Sequence, residues 1–272
     1  MWIFCCGMQR SGSTLQFQIT ARLVEEAGLG KRVEWVRAEQ FPELRQKYVE
    51  YPGWKVFKHH LCTGEMAAEF YRQNAMGVYS FRDLRDVFVS NMRKYSISFD
   101  QLWDGDFLPQ SLFHYQRWTT LPRVLVSKYE DMVADLPGEV ERIAAHLGIP
   151  CDAQKCEQIA SEHTLERQRE RIEEAKRIGR LRQGIAKVLY DPHTNLHTNH
   201  IHAGEIGGWE GVLSAAQVAL IENHARDWLV THGYELTQGP LQRTWRRFWY
   251  QQKRKAQGIR QRLSRWSLVA GR

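Results

Sequence analysis

The sequence predicts an α/β fold with three layers, in which a central and mainly parallel sheet is flanked by helices. Short apolar segments alternate with helical segments between residues 2 and 147, and this alternation is typical of βαβ units and a parallel sheet. The chain has 272 residues, which is enough for one large domain with a substantial core.

Four segments are predicted to form strands of this sheet. Each is short and apolar, as expected for a strand that is buried on both faces. The four segments are residues 2–7, 54–58, 77–81 and 123–127.

The predicted helices lie between and after these strands. In residues 14–26, Leu15, Ile19 and Leu23 recur at a spacing of four, and Gly28 follows as a stop signal. Ser214 precedes a later helix as a candidate N-cap. The other helical segments are residues 64–74, 83–94, 137–147, 157–178 and 214–232.

The positive charge of the chain is concentrated at its carboxyl end. The formal net charge is +7, yet residues 240–272 contain ten Arg and Lys and no Asp or Glu. The rest of the chain has 28 basic and 31 acidic residues, so we expect no nucleic-acid partner. We expect a main domain over residues 1–238 and a basic amphipathic tail over residues 239–272.

Composition also bears on where the protein works. No apolar run approaches about 18 residues, and the first residues lack the basic start of a signal peptide. The five cysteines show neither the spacing of a disulfide framework nor that of a zinc site. We expect a cytoplasmic protein, either free or peripheral at a membrane through its tail, with no structural metal.

A glycine-containing loop follows the first predicted strand. Residues 7–14 (Gly-Met-Gln-Arg-Ser-Gly-Ser-Thr) have the spacing of a Walker A loop, except that Ser13 replaces its lysine and the cation is Arg10. Backbone N–H groups of such a loop and the N-terminus of the next helix bind phosphate. The missing lysine argues against a Mg²⁺-dependent nucleotide triphosphatase. A plain serine–glycine turn is the alternative.

A second motif follows the third predicted strand. Arg82 lies at the strand end, and Ser90 follows eight residues later in the next helix. A guanidinium binds two oxygens of one phosphate, and a hydroxyl at that position adds a third hydrogen bond. The second motif therefore strengthens the prediction of a phosphate-binding site.

The two motifs resemble those of the sulfotransferase family, which uses the donor PAPS (3′-phosphoadenosine 5′-phosphosulfate). The resemblance spans roughly residues 2–235 and implies the P-loop fold. It implies that Arg82 and Ser90 bind the 3′-phosphate. It also implies that the loop holds the 5′-phosphosulfate through Arg10, Ser11, Gly12, Ser13 and Thr14.

Four further segments agree with the family in their order along the chain. They are Phe57–Leu61, Val126–Met132, Glu162–Thr164 and Gly204–Trp209. The resemblance implies that these segments add donor contacts from Tyr129, Thr164 and Gly204, and His202, which departs from the family pattern, is the best candidate contact of the histidine-containing loop before Gly204.

The segment Phe57–Leu61 resembles the one that carries the family's catalytic base. The resemblance implies that His60 takes the proton from an acceptor hydroxyl or amine and that Lys58 contacts the sulfuryl oxygens. It implies that Arg10 neutralises charge on the bridging oxygen as the bond breaks. A histidine pKa near 6.5 suits a base at neutral pH. His59 takes the role if the register is shifted by one residue.

Two residue clusters leave alternatives open. Seven aromatic residues between positions 95 and 118 form either core or the wall of an acceptor pocket for a sugar or an aromatic or lipid-like alcohol. Four histidines favour a polar loop over the 3′-phosphate rather than a metal site. They are His193, His197, His200 and His202.

Two other functions compete with sulfuryl transfer. One is a P-loop kinase for a small molecule, against which the missing Walker lysine argues. The other is a non-catalytic nucleotide-binding protein, which does not need Lys58 and His60. The sequence identifies neither the acceptor nor the oligomeric state.

Residues 240–272 have the pattern of a basic amphipathic helix. Apolar residues recur at spacings of three, four and seven, and Arg and Lys occupy most of the rest of its surface. Such a helix packs its apolar stripe on the main domain, or it docks the stripe on an anionic membrane or an acidic partner. A third alternative is that this end of the chain is unstructured. The stripe comprises Trp245, Phe248, Trp249, Ala256, Ile259, Leu263 and Trp266.

Overall fold

The four predicted strands and one further strand form a parallel sheet. The computed structural model describes residues 1–184, 188–199 and 204–270, with side chains up to residue 255. The strands are β1 (Trp2–Gly7), β2 (Gly30–Arg32), β3 (Trp54–Lys58), β4 (Ala75–Phe81) and β5 (Val124–Lys128). Their order in the sheet is β2-β3-β1-β4-β5, and every neighbouring pair is parallel. The predicted α/β class is confirmed.

The described chain divides into two compact units. The first comprises Met1–Arg82 and Ser90–Ile206, and the second comprises Asp83–Val89 and Gly207–Arg272. The main domain over residues 1–238 and the separate tail therefore stay a prediction. Within the second unit, the tail helix packs against the helix that begins at Ala215.

Helices account for most of the remaining chain. They are α1 (Ser13–Glu26), α2 (Phe41–Lys47), α3 (Gly64–Tyr71), α4 (Leu84–Tyr95), α5 (Phe99–Asp104), α6 (Phe107–Thr119), α7 (Tyr129–Ala134), α8 (Leu136–Leu147), α9 (Ala153–Ser161), α10 (Leu165–Arg177), α11 (Ala215–His224), α12 (Arg226–Thr231) and α13 (Pro240–Ala270). A short antiparallel pair, β6 (Arg182–Gln183) and β7 (Leu189–Tyr190), follows α10. No described helix has the length and apolar character needed to cross a bilayer.

Alternate residues of β1 show why the first unit has three layers. Ile3 and Cys5 belong to an aliphatic core that includes buried residues of α1, α8 and α9. Trp2 and Phe4 point to the opposite face, where they meet a cluster of aromatic rings. Side chains alternate between the two faces of a strand, so both faces of β1 are covered by helices. The rings on the second face belong to Phe41, Phe57, Phe70 and Trp118.

Two predicted helices are each divided in two. The charged segment 157–178 breaks at Thr164, whose backbone is extended and whose Oγ1 accepts a hydrogen bond from Arg167 N. Segment 214–232 breaks at Ala225, between α11 and α12. Ser214 caps α11 as predicted, and Gln217 completes a capping box. Neither break is marked by Gly or Pro, so no local stop signal predicts it.

A buried ion cluster holds the second unit together. Arg85 donates to both oxygens of Asp83, to Glu222 Oε1 at 3.0 Å and to the carbonyl of Glu235. Buried charges are tolerated when they are paired and hydrogen-bonded in this way. The carboxylate of Asp86 likewise accepts hydrogen bonds from backbone N–H groups of the segment that begins at Gly207.

Candidate active site

The predicted site residues lie at the carboxyl ends of four adjacent strands. The loop of residues 7–14 follows β1, and Arg82 follows β4. Lys58 ends β3 on one side, and Tyr129 follows β5 on the other. This edge is where open parallel sheets bind ligands. The parallel register therefore brings together residues that are far apart in the sequence.

Close packing at the first turn of the loop requires a glycine. A Cβ atom at Gly7 would lie 2.4 Å from Ser80 Oγ and 2.9 Å from Ser13 Cβ. The hydroxyl of Ser11 is buried 2.7 Å from Met8 O and 2.9 Å from Ser80 O. Ser11 therefore braces the loop against β4, and its predicted contact with a nucleotide stays a prediction.

The far end of the loop begins a helix that has no capping side chain. Gly12 is the N-cap residue of α1 and has a φ of 85°, and the first turn of α1 contains no acidic residue. A Cβ atom at Gly12 would lie 2.9 Å from Tyr129 Cδ2. The loop is therefore shaped by glycine where Tyr129 approaches. The N-terminus of a helix of this length carries a partial positive charge that suits phosphate.

The two phosphate motifs meet through a direct hydrogen bond. Arg10 adopts a φ of 68°, and its Nε donates to Ser90 Oγ at 2.8 Å. Arg82 Nη1 lies 3.5 Å from the carbonyl oxygen of Arg10. The structure thus brings Arg10, Arg82 and Ser90 close together, and their predicted contacts with the two phosphates stay a prediction.

Tyr129 and the segment at Gly204 complete this side of the site. The guanidinium of Arg82 lies over the Tyr129 ring, 4.3 Å from its centroid. It also donates to the carbonyl of Glu205, and the Tyr129 hydroxyl donates to Gly204 O at 3.3 Å. Arg82 is buried, and a planar guanidinium held by an aromatic face and a carbonyl has a fixed orientation. The predicted His202 lies outside the described residues.

Lys58 and His60 form a second pair at the end of β3. His60 Nδ1 lies 2.8 Å from the carbonyl oxygen of Gly7, and His60 Nε2 lies 3.4 Å from Lys58 Nζ. A carbonyl only accepts hydrogen bonds, so Nδ1 carries the proton and Nε2 keeps its lone pair. Burial, reinforced by the charge of Lys58, holds the pKa of His60 well below its usual value. His60 is therefore neutral at pH 7.

His59 has different surroundings from His60. Its ring stacks on Trp35 and Phe57, with interplanar angles of 12° and 20°. His59 Nδ1 lies 3.0 Å from Leu61 O and 3.1 Å from Leu61 N, and burial lowers the pKa of His59 to about 4. The His59 ring is thus held by packing against its aromatic neighbours, and the role of either histidine as the base stays a prediction.

A cationic cluster of Arg10, Lys58 and Lys94 dominates the electrostatics of the site. Burial lowers the pKa of Lys58 to about 8, and the charge of Arg10 adds to this effect. Burial lowers the pKa of Lys94 to about 7, with further contributions from Arg10 and Lys58. Arg10, whose pKa burial lowers to about 10, stays protonated at neutral pH. Mutual repulsion of this kind is relieved by an anion.

Lys94 was not predicted from the sequence. It lies four residues after Ser90 on α4, so both residues lie on one face of the helix. The spacing of four residues from Ser90 was the sequence pattern from which Lys94 could have been predicted as a site residue. The carbonyl oxygen of Lys94 also accepts a hydrogen bond from Asn199 Nδ2 at 2.9 Å, which ties α4 to the segment after β7.

The histidine-containing segment after β7 is fixed by Asp191. Arg180 donates to both carboxylate oxygens of Asp191, at 2.9 and 2.7 Å. Burial lowers the pKa of His197 to about 3, and the cationic cluster contributes further. The charges that act on the His193 ring instead include those of Arg32 and Asp191. His193 and His197 therefore have separate electrostatic environments. His200 lies outside the described residues.

Other predicted residues have structural roles in the described contacts. Thr164 is exposed and caps α10, so its nucleotide contact stays a prediction. Of the seven aromatic residues, Phe99 and Trp118 are core, whereas Phe113 is 53% exposed. Trp118 Nε1 also donates to the carbonyl of His60 at 3.0 Å. No group of three His, Cys, Asp or Glu side chains suited to a metal occurs among the described residues.

Comparison with known proteins identifies the family. The family model "Sulfotransferase domain" matches residues 2–233. The chain belongs to the sulfotransferase family. It is 22% identical over 192 residues to Sulfotransferase 6B1 of Danio rerio, which is 65% of this chain and 59% of that protein. It is also 22% identical over 201 residues to Sulfotransferase 1C2 of Homo sapiens, covering 68% of this chain and 64% of that protein. The chain thus spans less than two thirds of these relatives.

Solved structures share the fold of this chain at low sequence identity. Retinol dehydratase in a complex with retinol and PAP has a TM-score of 0.57 and 19% identity, covering 88% of this chain and 83% of that one. Mouse sulfotransferase SULT7A1 complexed with PAP has a TM-score of 0.59 and 17% identity, covering 92% of this chain and 88% of that one. The P-loop fold that the resemblance implied is therefore confirmed.

Proposed function

We propose that the protein transfers a sulfuryl group from PAPS to a hydroxyl or amine of a small-molecule acceptor, without a metal ion. The observation that carries this proposal is the pair of Lys58 and His60 beside the loop of residues 7–14. A neutral imidazole and a buried ammonium beside it serve proton removal and charge stabilisation. Nucleotide binding alone would require neither group.

The residues around the loop fit the proposed donor. The loop N–H groups, the N-terminus of α1 and Arg10 would hold the 5′-phosphosulfate. Arg82 and Ser90 would hold the 3′-phosphate, with Tyr129 fixing the guanidinium. The fit rests on the glycine-shaped loop at Gly12 and on the cationic cluster, which is suited to a ligand with several negative charges.

The proposed reaction is an in-line displacement at sulfur. His60 Nε2 removes the proton from the acceptor, whose oxygen or nitrogen forms a new bond to sulfur. The bond between sulfur and the bridging oxygen of the nucleotide breaks, and PAP leaves with that electron pair. Arg10 and Lys58 stabilise the negative charge on the bridging and sulfuryl oxygens, and the rigid loop supplies alignment.

Lipid-like alcohols are the proposed first acceptor class. Structures of retinol dehydratase contain androsterone in one case and retinol in another. In this chain, Tyr95 is partly exposed on the same helix as Ser90 and Lys94, and Phe113 is exposed on α6. Aromatic rings of this kind suit the wall of a pocket for an apolar alcohol. We propose a cytoplasmic location, in line with cysteines that have no framework spacing.

Turnover of labelled PAPS tests the proposed function. We expect the purified full chain to transfer label to at least one member of an acceptor panel of steroid, retinoid, sugar and phenolic compounds, and to do so in EDTA. ATP with Mg²⁺ is the matched control and should give no phosphoryl transfer. Activity that disappears in EDTA and returns with Mg²⁺, or transfer from ATP alone, would support the kinase instead.

The pH dependence of kcat/KM for PAPS follows from the cationic cluster. The free enzyme determines this quantity. Lys94 and Lys58, with pKa values lowered to about 7 and about 8, lose their charge as the pH rises. We therefore expect kcat/KM to fall from about pH 7 upwards, with no loss near pH 6.5 from His60, whose pKa is lower still.

Two controls separate the causes of this pH profile. Lys58→Arg should move the upper part of the decline to higher pH, because guanidinium keeps its proton. At saturating PAPS, the decline in kcat/KM for the acceptor should also move to higher pH, because a bound anion raises the pKa of Lys58. A value of kcat/KM for PAPS that rises between pH 7 and 9 would contradict the assignment.

A further inference from the structure

Helix α13 exposes an unusually apolar surface. Leu241, Trp245, Phe248 and Trp249 are 86%, 63%, 50% and 53% exposed. Their spacings of four, seven and eight residues from Leu241 place them on one side of the helix. We call these four residues the tail aromatic surface. Single exposed apolar residues are common on protein surfaces, but three exposed aromatic rings that lie side by side indicate a surface that contacts a partner.

The opposite side of α13 faces the rest of the second unit. Arg243 is 4% exposed, and its guanidinium donates to the carbonyl of Gln238. Arg246, Tyr250 and Arg254 are partly buried and continue this side at intervals of three and four residues. The helix therefore packs through polar and basic residues. Within the second unit, the apolar stripe of residues 240–255 is therefore not the side that packs.

The charge around the tail aromatic surface has a single sign. Residues 240–272 contain ten Arg and Lys and no Asp or Glu. Exposed Arg247, Lys253 and Lys255 lie along the same helix. The helix runs for 31 residues, or about 46 Å, and the sequence of its later part continues the pattern with Ile259, Leu263 and Trp266.

We propose that α13 docks the protein on the surface of an anionic phospholipid bilayer. Tryptophan prefers the boundary between headgroups and acyl chains, and arginine and lysine are attracted to anionic headgroups. A bilayer with anionic lipids offers uniform negative charge along the whole length of a helix. A specific protein partner would match a patterned surface, whereas this one has only positive charge. The proposal does not depend on sulfuryl transfer.

Co-sedimentation of the full chain with vesicles tests this docking. We expect binding to vesicles of phosphatidylcholine with phosphatidylserine, weaker binding at high salt, and little binding to phosphatidylcholine alone. The triple variant Trp245→Ala/Phe248→Ala/Trp249→Ala should bind roughly tenfold more weakly or worse. Its tryptophan emission should also lose the blue shift that the unmodified chain shows on binding.

Matched variants keep the test decisive. Tyr71→Ala removes a 70% exposed ring from the first unit and should bind vesicles like the unmodified chain. Arg247→Glu/Lys253→Glu/Lys255→Glu should abolish the preference for anionic vesicles. All variants should retain affinity for PAP, which reports an intact first unit whether or not sulfuryl transfer is observed.

Three results would overturn the proposal. The first is a full chain that stays in the supernatant with both kinds of vesicle at low salt. The second is a triple variant that binds vesicles as tightly as the unmodified chain. The third is a full chain that ignores vesicles but binds polyglutamate or self-associates in ultracentrifugation, which would assign the surface to an acidic protein or to a second copy.

Discussion

Replacing His60 by alanine is expected to lower kcat by roughly 10²–10⁴, which is the usual contribution of a positioned general base. The affinity for PAP should change little, because the imidazole contacts the carbonyl of Gly7 and Lys58 rather than Arg10, Arg82 or Ser90. A loss in kcat with unchanged ligand affinity is the signature of a group that acts in the transition state. Steady-state kinetics and calorimetry with PAP measure the two effects separately.

Two further variants isolate the base from its structural contact. His60→Asn keeps an N–H donor near the carbonyl of Gly7 but has no basic lone pair, so it should lose as much kcat as His60→Ala. His59→Ala removes a ring that stacks on Trp35 and Phe57. It should lower thermal stability more than kcat. Near wild-type kcat in both His60 variants would assign proton removal to another group.

The strands that carry the site were predictable because their signals are local. A short, largely apolar run identified each of β1, β3, β4 and β5. In contrast, β2 is only Gly30–Arg32 and contains two charged residues, so no apolar run marks it. Its pairing with β3 is a tertiary effect that no local pattern in these three residues predicts.

The positions of individual site residues were predictable to different extents. The sequence leaves the choice between His59 and His60 open, because only tertiary contacts, such as that of His60 Nδ1 with the carbonyl of Gly7, distinguish the two neighbouring rings. The roles of Ser11 and Lys94 depend on what lies opposite them, respectively Ser80 and the charges of Arg10 and Lys58. Such contacts form between distant segments, so a single sequence does not reveal them.

The tail shows a similar limit of sequence patterns. The spacing of Trp245, Phe248 and Trp249 correctly predicted one apolar side of a helix. It did not predict that this side would remain exposed, because that depends on how Arg243 and its neighbours pack within the second unit. An amphipathic pattern identifies two faces of a helix, and only the tertiary packing determines which face is covered.

Arg82→Ala is expected to remove most of the preference of the protein for PAP over ADP. The unmodified chain should bind PAP at least tenfold more tightly than ADP, because only PAP carries the 3′-phosphate that Arg82 and Ser90 are proposed to bind. A charge-assisted contact of this kind contributes about 1.5–3 kcal/mol, or roughly 10- to 150-fold in Kd. Calorimetry with both ligands measures this preference.

The controls for Arg82 separate charge, geometry and folding. Arg82→Lys keeps the charge but loses the planar fork, so it should retain only part of the preference. Ser90→Ala removes one neutral hydrogen bond and should cost less than Arg82→Ala. Arg72→Ala removes a 58% exposed guanidinium that pairs with Glu69 and should leave both affinities unchanged. Equal affinity of the unmodified chain for PAP and ADP would contradict the proposed 3′-phosphate site, because the fixed guanidinium over Tyr129 would then have no phosphate to distinguish.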